Sequence, residues 1–156
     1  AFGILAGFEA VVAKLTERGI EHAVCGGFAV ILHGHVRATR DIDVLVQPAD
    51  LDRVRQAMRE IGFSIEGGSM TFSAGTDRER RLFRLSKAHG PDLLTLDLLL
   101  VTPVLRAAWE SREAHEWRGH ALFAVSRSGL AAMKRLAGRH QDLADLENLG
   151  IGDGDG

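Results

Sequence analysis

The stretch RATRDIDVLV, residues 37–46, places two carboxylates, Asp41 and Asp43, at the start of a strongly apolar run. Because residues i and i+2 of a β-strand point to the same face, the spacing predicts that both aspartates project together while Ile42 and Val44 point into a core. Adjacent carboxylates repel each other, and a divalent cation lets both ionise by using them as oxygen ligands. The pattern therefore predicts a strand that carries part of a metal site.

The same two aspartates also fit a simpler role. Short motifs such as Asp-x-Asp occur by chance, so Asp41 and Asp43 could lie in water at a strand edge or pair with Arg37 and Arg40. We expect at least one of these two arginines to pair with a carboxylate, with Asp142 as a candidate. Other segments of the chain must decide between a metal site and a solvated edge.

A third acid lies in another apolar segment. Asp97 is the one charged residue of LLTLDLLLV, residues 93–101. An ionised carboxylate in such a strand is costly unless it is paired or binds metal, and three acids suffice for one or two Mg²⁺ ions. The sequence therefore predicts that Asp41, Asp43 and Asp97 converge on one metal site.

A glycine pair, Gly26 and Gly27, separates a short apolar strand, residues 22–25, from a helix predicted over residues 26–35. Without side chains, these residues would let a phosphate approach the backbone N–H groups and the positive end of the helix dipole. Glycines also serve tight strand-to-helix turns, so both roles stay open at this point.

Periodicity and turn residues predict the remaining elements. The first half of the chain is predicted to form a helix over 8–18 that ends before Gly19, a strand over 41–46 and a helix over 49–62. Two hairpins should follow, one that pairs 81–86 with 93–101 and one over 113–125 around Gly119. The chain should then form a helix over 130–137 capped by Ser126 or Ser128, a break at Gly138 and a last helix to residue 149. This order predicts an α/β (α+β) fold with a small mixed β-sheet flanked by helices. We expect one domain, residues 1–149, and a flexible tail, residues 150–156.

Composition restricts the class of protein. The 156 residues carry a net charge of −2 and 46% hydrophobic residues, which is ordinary for a globular protein and argues against one broad phosphate-binding surface. A single cysteine, Cys25, excludes an intramolecular disulfide and a multi-cysteine zinc site, and its apolar neighbours predict a buried thiol. With no apolar run of about 20 residues and no secretory signal, we expect a cytoplasmic protein without a membrane segment.

In combination, these motifs resemble the nucleotidyltransferase superfamily that includes DNA polymerase beta. The family pattern is a Gly-Gly or Gly-Ser turn, a D-x-D strand and a third acid on a neighbouring strand, and GGFAVILHGHVRATRDIDVLV, residues 26–46, followed by Asp97 is similar to it. The Arg-x-Thr-x-Asp-hydrophobic-Asp variant is most similar to small bacterial nucleotidyltransferases, among them the AbiEii-type toxins. The resemblance implies the nucleotidyltransferase fold and an enzyme.

The resemblance also implies a reaction and its site. It implies transfer of a nucleoside monophosphate from a nucleoside triphosphate such as ATP to an acceptor hydroxyl on tRNA, protein or a small molecule, with Mg²⁺ or Mn²⁺ as cofactor and an antitoxin protein as a partner. Asp41, Asp43 and Asp97 would hold the metal, and Asp97 would also help to deprotonate the acceptor. Lys134 would be a catalytic residue whose ammonium reaches the triphosphate. The implied nucleotide-binding residues are Gly26, Gly27, Arg37, Thr39 and Arg40.

Two departures from the family pattern support an alternative, a nucleotide- or partner-binding module without catalysis. Phe28 stands where many members have a serine that contacts phosphate, and the chain has no large helical domain. Lys134 itself has two interpretations, because it lies at the edge of an apolar helical stripe where its stem could simply cover apolar surface. Asp142 is expected to pair with an arginine or to cap a helix.

For the remaining polar and aromatic residues, a structural or solvated role is the default expectation. His33 and His35 are two apart on a helix and cannot face one ligand, so a zinc site made by this pair is disfavoured. The arginine-rich segment 77–84 could bind a nucleotide or RNA backbone, but such a charge run is more often solvated. Trp109 and Trp117 could stack a base, with core packing as the default.

Overall fold

The structure, a computed structural model, describes residues 2–150, so the predicted tail lies outside the described residues except for Gly150. Within this range the helices are α1 (Phe2–Glu17), α2 (Gly26–Leu32), α3 (Leu51–Glu60), α4 (Arg106–Glu110), α5 (Arg127–Ala137) and α6 (His140–Asn148). The strands are β1 (Ala23–Cys25), β2 (Asp41–Val46), β3 (Ile65–Phe72), β4 (Arg80–His89), β5 (Asp92–Leu100), β6 (Glu113–Trp117) and β7 (His120–Ala124).

The strands form one seven-stranded sheet in the order β3-β4-β5-β2-β1-β7-β6. Strand β2 pairs parallel to β5, and β1 pairs parallel to β7. The other neighbours are antiparallel, including the β4–β5 and β6–β7 hairpins. The predicted mixed sheet with helices is therefore confirmed, and with it the fold class.

The central strand β2 divides its side chains as the alternation predicts. Ile42 and Val44 are fully buried, and Ile42 lies on the face against which α1 packs, beside Gly7. Asp43 points to the opposite face, towards a pocket that is also lined by α5. The core on the first face therefore holds β2 rigidly while its acids stay accessible from the second.

Local signals at the C-terminal helices are also confirmed. The Ser126 hydroxyl accepts a hydrogen bond from the Gly129 N–H at 3.0 Å and so caps α5, and Gly138 ends this helix with φ +65°. A left-handed residue at this position is tolerated best as glycine. The turn between α5 and α6 brings Lys134 and Asp142 together.

The sequence interpretation missed strand β3 and helix α4. Every residue of β3 is exposed, and its segment IEGGSMTF lacks the apolar alternation of a half-buried strand. Helix α4 has only five residues, too few to show a helical period. Pairing with β4 makes β3 a strand, so long-range hydrogen bonds rather than local preference decide its structure.

Candidate active site

Two of the three predicted metal-binding acids face each other on neighbouring strands. Asp43 of β2 is the direct register partner of Asp97 of β5, and both line a pocket of about 350 Å³. Asp41 precedes Asp43 by two residues on the same face of β2, where it is exposed and opposite Thr95. We refer to Asp41, Asp43 and Asp97 as the acidic site.

The acidic site is electrostatically unbalanced. Burial, followed by the charges of Asp97 and Asp41, raises the pKa of Asp43 to about 7. Burial and the charge of Asp97 also raise the pKa of Asp41, although several arginines oppose this shift. Carboxylates crowded in this way hold excess negative charge, which a bound cation would relieve.

Gly26 permits the close approach of Asp43 to the strand-to-helix turn. It has φ +63°, and a Cβ atom added to it would lie 2.1 Å from Oδ2 of Asp43. Gly27 packs instead against Thr39 and Arg37, where an added Cβ would lie 2.4 Å from Thr39 Oγ1. Both glycines are therefore required sterically, whether or not a phosphate also contacts them.

Arg84 is a residue of the site that sequence reasoning did not single out. It lies opposite Asp97 in the β4–β5 hairpin and binds it through two contacts, Nε to Oδ1 at 2.8 Å and Nη2 to Oδ2 at 3.0 Å. Asp97 is only 5% exposed, and an ionised carboxylate at such a position needs a partner. The Arg84 guanidinium is this partner and compensates its charge. The turn of the hairpin could have predicted this pair, because a turn that pairs His89 with Asp92 fixes the register of β4 and β5 and so places Arg84 opposite Asp97.

A second group of buried charges lies on α5 and α6, and we call it the ion-pair cluster. Lys134 contacts Asp145 at 2.9 Å and Asp142 at 3.2 Å, and all three side chains are almost fully buried. Arg37 also pairs with Asp145, with its Nε 2.8 Å from Oδ1. The expected pairing of Arg37 or Arg40 with a carboxylate is confirmed, but the partner is Asp145 and not Asp142.

Arg139 completes the ion-pair cluster, which consists of Arg37, Lys134, Arg139, Asp142 and Asp145. The Asp142 carboxylate accepts a hydrogen bond from the Arg139 N–H at 3.1 Å and from its Nε at 2.8 Å. The prediction that Asp142 pairs with an arginine or caps a helix is confirmed on both counts. Burial opposes ionisation of Asp142, but Arg139 and then Lys134 outweigh it and lower its pKa.

The pocket combines these charges with an apolar wall. Lys134, Arg139 and Asp142 approach it from the helices, while Arg80, Arg81 and Arg84 approach it from β4. Its apolar lining includes Met70, Phe72, Leu82, Leu99, Leu130 and Met133. Strand β3, which sequence reasoning missed, thus contributes Met70 and Phe72, and both are partly exposed to a ligand.

Several predicted nucleotide-binding residues lie beside this pocket and not in its lining. Of the predicted site residues, all of which the structure describes, the lining includes Gly26, Asp43, Asp97 and Lys134, and it does not include Gly27, Arg37, Thr39, Arg40 or Asp41. The Thr39 hydroxyl donates to the Asp41 carbonyl at 3.2 Å and so supports the start of β2. Nucleotide binding by these residues stays a prediction.

The aromatic residues noted in the sequence pack in the core. Phe28 stacks on Phe8 with ring centroids 4.0 Å apart and is 1% exposed, so its side chain belongs to the core. Trp117 meets Phe8 edge-on at 5.2 Å, and Trp109 is 5% exposed beneath the Arg112 guanidinium. Cys25 is buried as expected, and burial raises the pKa of its thiol.

Comparisons with known proteins bear on the family and the fold. The sequence profile of a family described as aminoglycoside-2″-adenylyltransferase matches residues 8–83, which is 76 of the 156 residues. No curated protein sequence matches the chain. Helices long and apolar enough to cross a bilayer are absent from the described part of the chain.

Solved structures share the fold at low sequence identity. A candidate nucleotidyltransferase from Thermotoga maritima is 12% identical with a TM-score of 0.58, over 88% of this chain and 86% of that protein. ANT(2″)-Ia in complex with adenylyl-2″-tobramycin is 11% identical with a TM-score of 0.59, over 96% and 88%. A candidate nucleotidyltransferase from H. pylori is 19% identical with a TM-score of 0.55, over 96% and 67%.

Proposed function

We propose that the chain is a member of the nucleotidyltransferase superfamily, as the sequence motifs predicted, and that it transfers an adenylyl group from ATP to an acceptor hydroxyl. The match to an adenylyltransferase family supports an enzyme of this class and favours ATP as the donor. The observation that carries the proposal is the Asp43–Asp97 pair, which faces a pocket bordered by arginines and a lysine.

The residues of the acidic site fit a divalent cation. Three carboxylates offer hard oxygen ligands, and the raised pKa of Asp43, caused by burial and by neighbouring acids, indicates uncompensated negative charge. We propose that Asp41, Asp43 and Asp97 hold Mg²⁺ or Mn²⁺. When bound, the ion would neutralise charge on the phosphates during in-line displacement.

The cationic side chains of the pocket would orient the triphosphate. Arg84 and Arg139 line the pocket, and each binds a carboxylate, Asp97 and Asp142 respectively, through Nε and Nη2. Each guanidinium would offer its remaining N–H donors to phosphate oxygens. The proposed role of Lys134 is narrower, because its ammonium is already bound by Asp142 and Asp145. It would contribute positive charge at the pocket wall while keeping these two contacts.

The transfer step is a substitution at the α-phosphorus. The acceptor oxygen forms a bond to this phosphorus, the bond to the bridging oxygen breaks, and pyrophosphate leaves. The hydroxyl proton passes to a carboxylate, and we propose Asp97, as the resemblance implies. Each Asp97 oxygen accepts one bond from Arg84 and keeps a second lone pair for the proton, and a looser Arg84 contact would make this carboxylate a stronger base.

The apolar wall gives a place for the nucleobase. Phe72 lies beneath the Arg80 guanidinium at 5.4 Å, and Met70 is its neighbour on the same face of β3. A purine ring stacked between an aromatic face and a guanidinium would gain contact without base-specific hydrogen bonds. The base preference is therefore proposed from the family match, and the pocket supplies the binding surface.

One observation favours the alternative of a binding module without catalysis. Both oxygens of Asp97 are engaged by Arg84, so the third acid is less accessible to a metal than its position alone suggests. The two functions differ in a simple outcome: a binding module retains nucleotide but forms no product.

The test is incubation of the protein with each α-labelled nucleoside triphosphate, Mg²⁺ and a fractionated cell extract. We expect label from ATP in one fraction, and the RNA, protein and small-molecule fractions distinguish a tRNA end, a protein side chain and a small acceptor. A matched reaction with EDTA should abolish transfer. Nucleotide binding without a labelled product in any fraction would support the binding module instead.

The finer predictions of the resemblance belong to the same experiment. An AbiEii-type toxin activity would appear as label on tRNA and as growth arrest on expression, relieved by a partner protein. A small-molecule acceptor would leave growth unaffected. The expected cytoplasmic location would give the protein access to ATP and to each of these acceptors.

A further inference from the structure

A second group of potential metal ligands lies at the sheet edge, outside the lining of the acidic pocket. His33, at the end of α2, meets Glu113 and His115 of the edge strand β6. One ring nitrogen of each histidine and one carboxylate oxygen all lie within 4.8 Å of one another. We propose that these three residues bind a transition metal ion of the Zn²⁺ class.

His33 is held in the tautomer that a ligand needs. Its Nε2 lies 2.9 Å from the carbonyl oxygen of Val125. A carbonyl oxygen only accepts, so Nε2 carries the proton and the lone pair of the neutral ring is on Nδ1. Metal-binding histidines commonly donate their other N–H to a backbone carbonyl in this way.

His115 has a buried nitrogen without a partner. Within the described part of the chain, its Nε2 has no hydrogen-bond partner although the atom is buried. Glu113 lies two residues earlier on the same face of β6, with its Oε1 3.7 Å from this nitrogen. A buried polar atom left unpaired is costly, and a metal ion would satisfy it.

The ligand set favours a borderline metal over Mg²⁺. Two imidazoles and one carboxylate suit Zn²⁺, whereas Mg²⁺ prefers oxygen ligands and retains water. Tetrahedral Zn²⁺ places its ligand atoms roughly 3.3 Å apart, so the three side chains need to close by at most about 1.5 Å. Glu113 is half exposed, which leaves water access to a fourth coordination position.

A metal at this position would join two separate parts of the fold. His33 follows α2, whose first residue Gly26 lies against Asp43, and His115 belongs to the outermost strand of the sheet. The ion would therefore act as a clamp between α2 and β6. This proposal is independent of the nucleotidyl transfer proposed above.

The test is calorimetric titration of tag-free protein with ZnCl₂ in millimolar Mg²⁺, which is added to compete with Zn²⁺ for the acidic site. We expect one Zn²⁺ per chain and, at Zn²⁺ about 100-fold above its Kd, a rise in Tm of roughly 5 to 10 °C. Loss of a residue that only hydrogen-bonds to a metal ligand weakens metal binding by roughly 10- to 100-fold. Because His115 is itself a proposed ligand, His115→Ala should weaken Zn²⁺ binding by at least as much. Glu113→Gln should weaken it without disturbing the Val125 contact of His33.

The matched control is His120→Ala. His120 is a partly exposed histidine of the neighbouring strand β7 that lies beside Glu9 and outside the ligand group. The His120→Ala variant should bind Zn²⁺ with the affinity of the wild type. The Asp43→Asn variant, which alters only the acidic site, should do the same. Equal affinity of His115→Ala and His120→Ala, or wild type without saturable Zn²⁺ binding, would overturn the proposal.

Discussion

The acidic site and the ion-pair cluster both contain buried carboxylates, but their charge balance is opposite. In the acidic site, burial and neighbouring acids raise the pKa of Asp43 to about 7. In the ion-pair cluster, contacts with Lys134 and arginines overcome burial and lower the pKa of Asp142 and of Asp145. We interpret the first pattern as that of a binding site and the second as that of a structural group of ion pairs.

The two groups share one pocket, which makes the contrast useful. Asp43 and Asp142 both line it, yet of these two acids it is Asp142 that pairs with cationic side chains, those of Lys134 and Arg139. Uncompensated charge is a marker of function, because a structural site is selected to be satisfied. Each of the following variants tests one side of this comparison.

The largest effect is expected for Asp43→Asn. The change keeps the shape of the side chain but removes a charge that matters only where metal and phosphate assemble, so transfer should fall by about 1000-fold or more. The folded state should be retained, as measured by circular dichroism and urea unfolding. Asp52→Asn, at an acid whose side chain is 94% exposed, is the matched control. Normal transfer by Asp43→Asn would exclude the acidic site from catalysis.

Asp145→Ala should act on stability. Asp145 is fully buried and contacts Lys134, Arg37 and Gln141, so its loss leaves two cations without a shared partner. Breaking a buried ion pair from one side costs about 3 kcal/mol or more of unfolding free energy, measured by urea titration. Asp52→Ala should cost almost nothing. A small loss for Asp145→Ala would show that the ion-pair cluster is not structural.

The same contacts complicate the use of Lys134→Ala as a probe of nucleotide binding. This variant would leave Asp142 and Asp145 buried with fewer partners, so we expect it to lower stability as well as nucleotide affinity. Nucleotide affinity should therefore be measured at a temperature where unfolding titrations show the variant to be folded.

The third prediction concerns pH and metal-free protein. The pKa of Asp43 is raised from 3.8 to about 7, so folding favours its protonated form, and this contribution is lost as pH rises towards and through 7. We expect the unfolding free energy to fall by about 2 kcal/mol between pH 5 and 8, less than the full shift implies because Asp43 is partly exposed. Asp43→Asn should flatten this dependence. The measurement is urea unfolding of the wild type and of Asp43→Asn at pH 5 and pH 8. The same change in unfolding free energy for both proteins would contradict the prediction.

The ion-pair cluster should respond in another pH range. The pKa values of Asp142 and Asp145 are lowered by their cationic partners, against the effect of burial. Their contribution to stability is present at neutral pH and is lost only as pH falls below about 4. Unfolding below about pH 4 thus reports on this cluster, and the loss of stability as pH rises from 5 through 7 reports on Asp43.

The smallest effect is expected for Arg84→Gln. Without this guanidinium both oxygens of Asp97 become available, so Mn²⁺ affinity in the absence of nucleotide should rise by about 10-fold, or about 1.4 kcal/mol. Nucleotide affinity should fall, because a cation of the pocket is lost. Arg53→Gln, on the exposed face of α3, is the control. Unchanged Mn²⁺ affinity would show that Arg84 does not compete for Asp97.

The sequence alone determined the elements that carry local signals. The bounds of β2, the pairing of β4 with β5, a serine cap at residue 126 or 128 and the break at Gly138 all follow from alternation, turn residues and capping, and the structure selects Ser126 as the cap. The same patterns, with the family resemblance, led to the fold and to Asp41, Asp43 and Asp97 as a group.

Only the tertiary structure decided which partners these residues have. Arg84 pairs with Asp97, and Lys134 and Arg37 pair with Asp145, across 11 to 108 residues of sequence. Strand β3 exists because β4 offers it hydrogen bonds, and His33 meets His115 because the sheet places β6 at its edge. Local patterns specify which face a side chain takes, whereas charge compensation and ligand geometry depend on neighbours that only chain folding brings within a few ångströms.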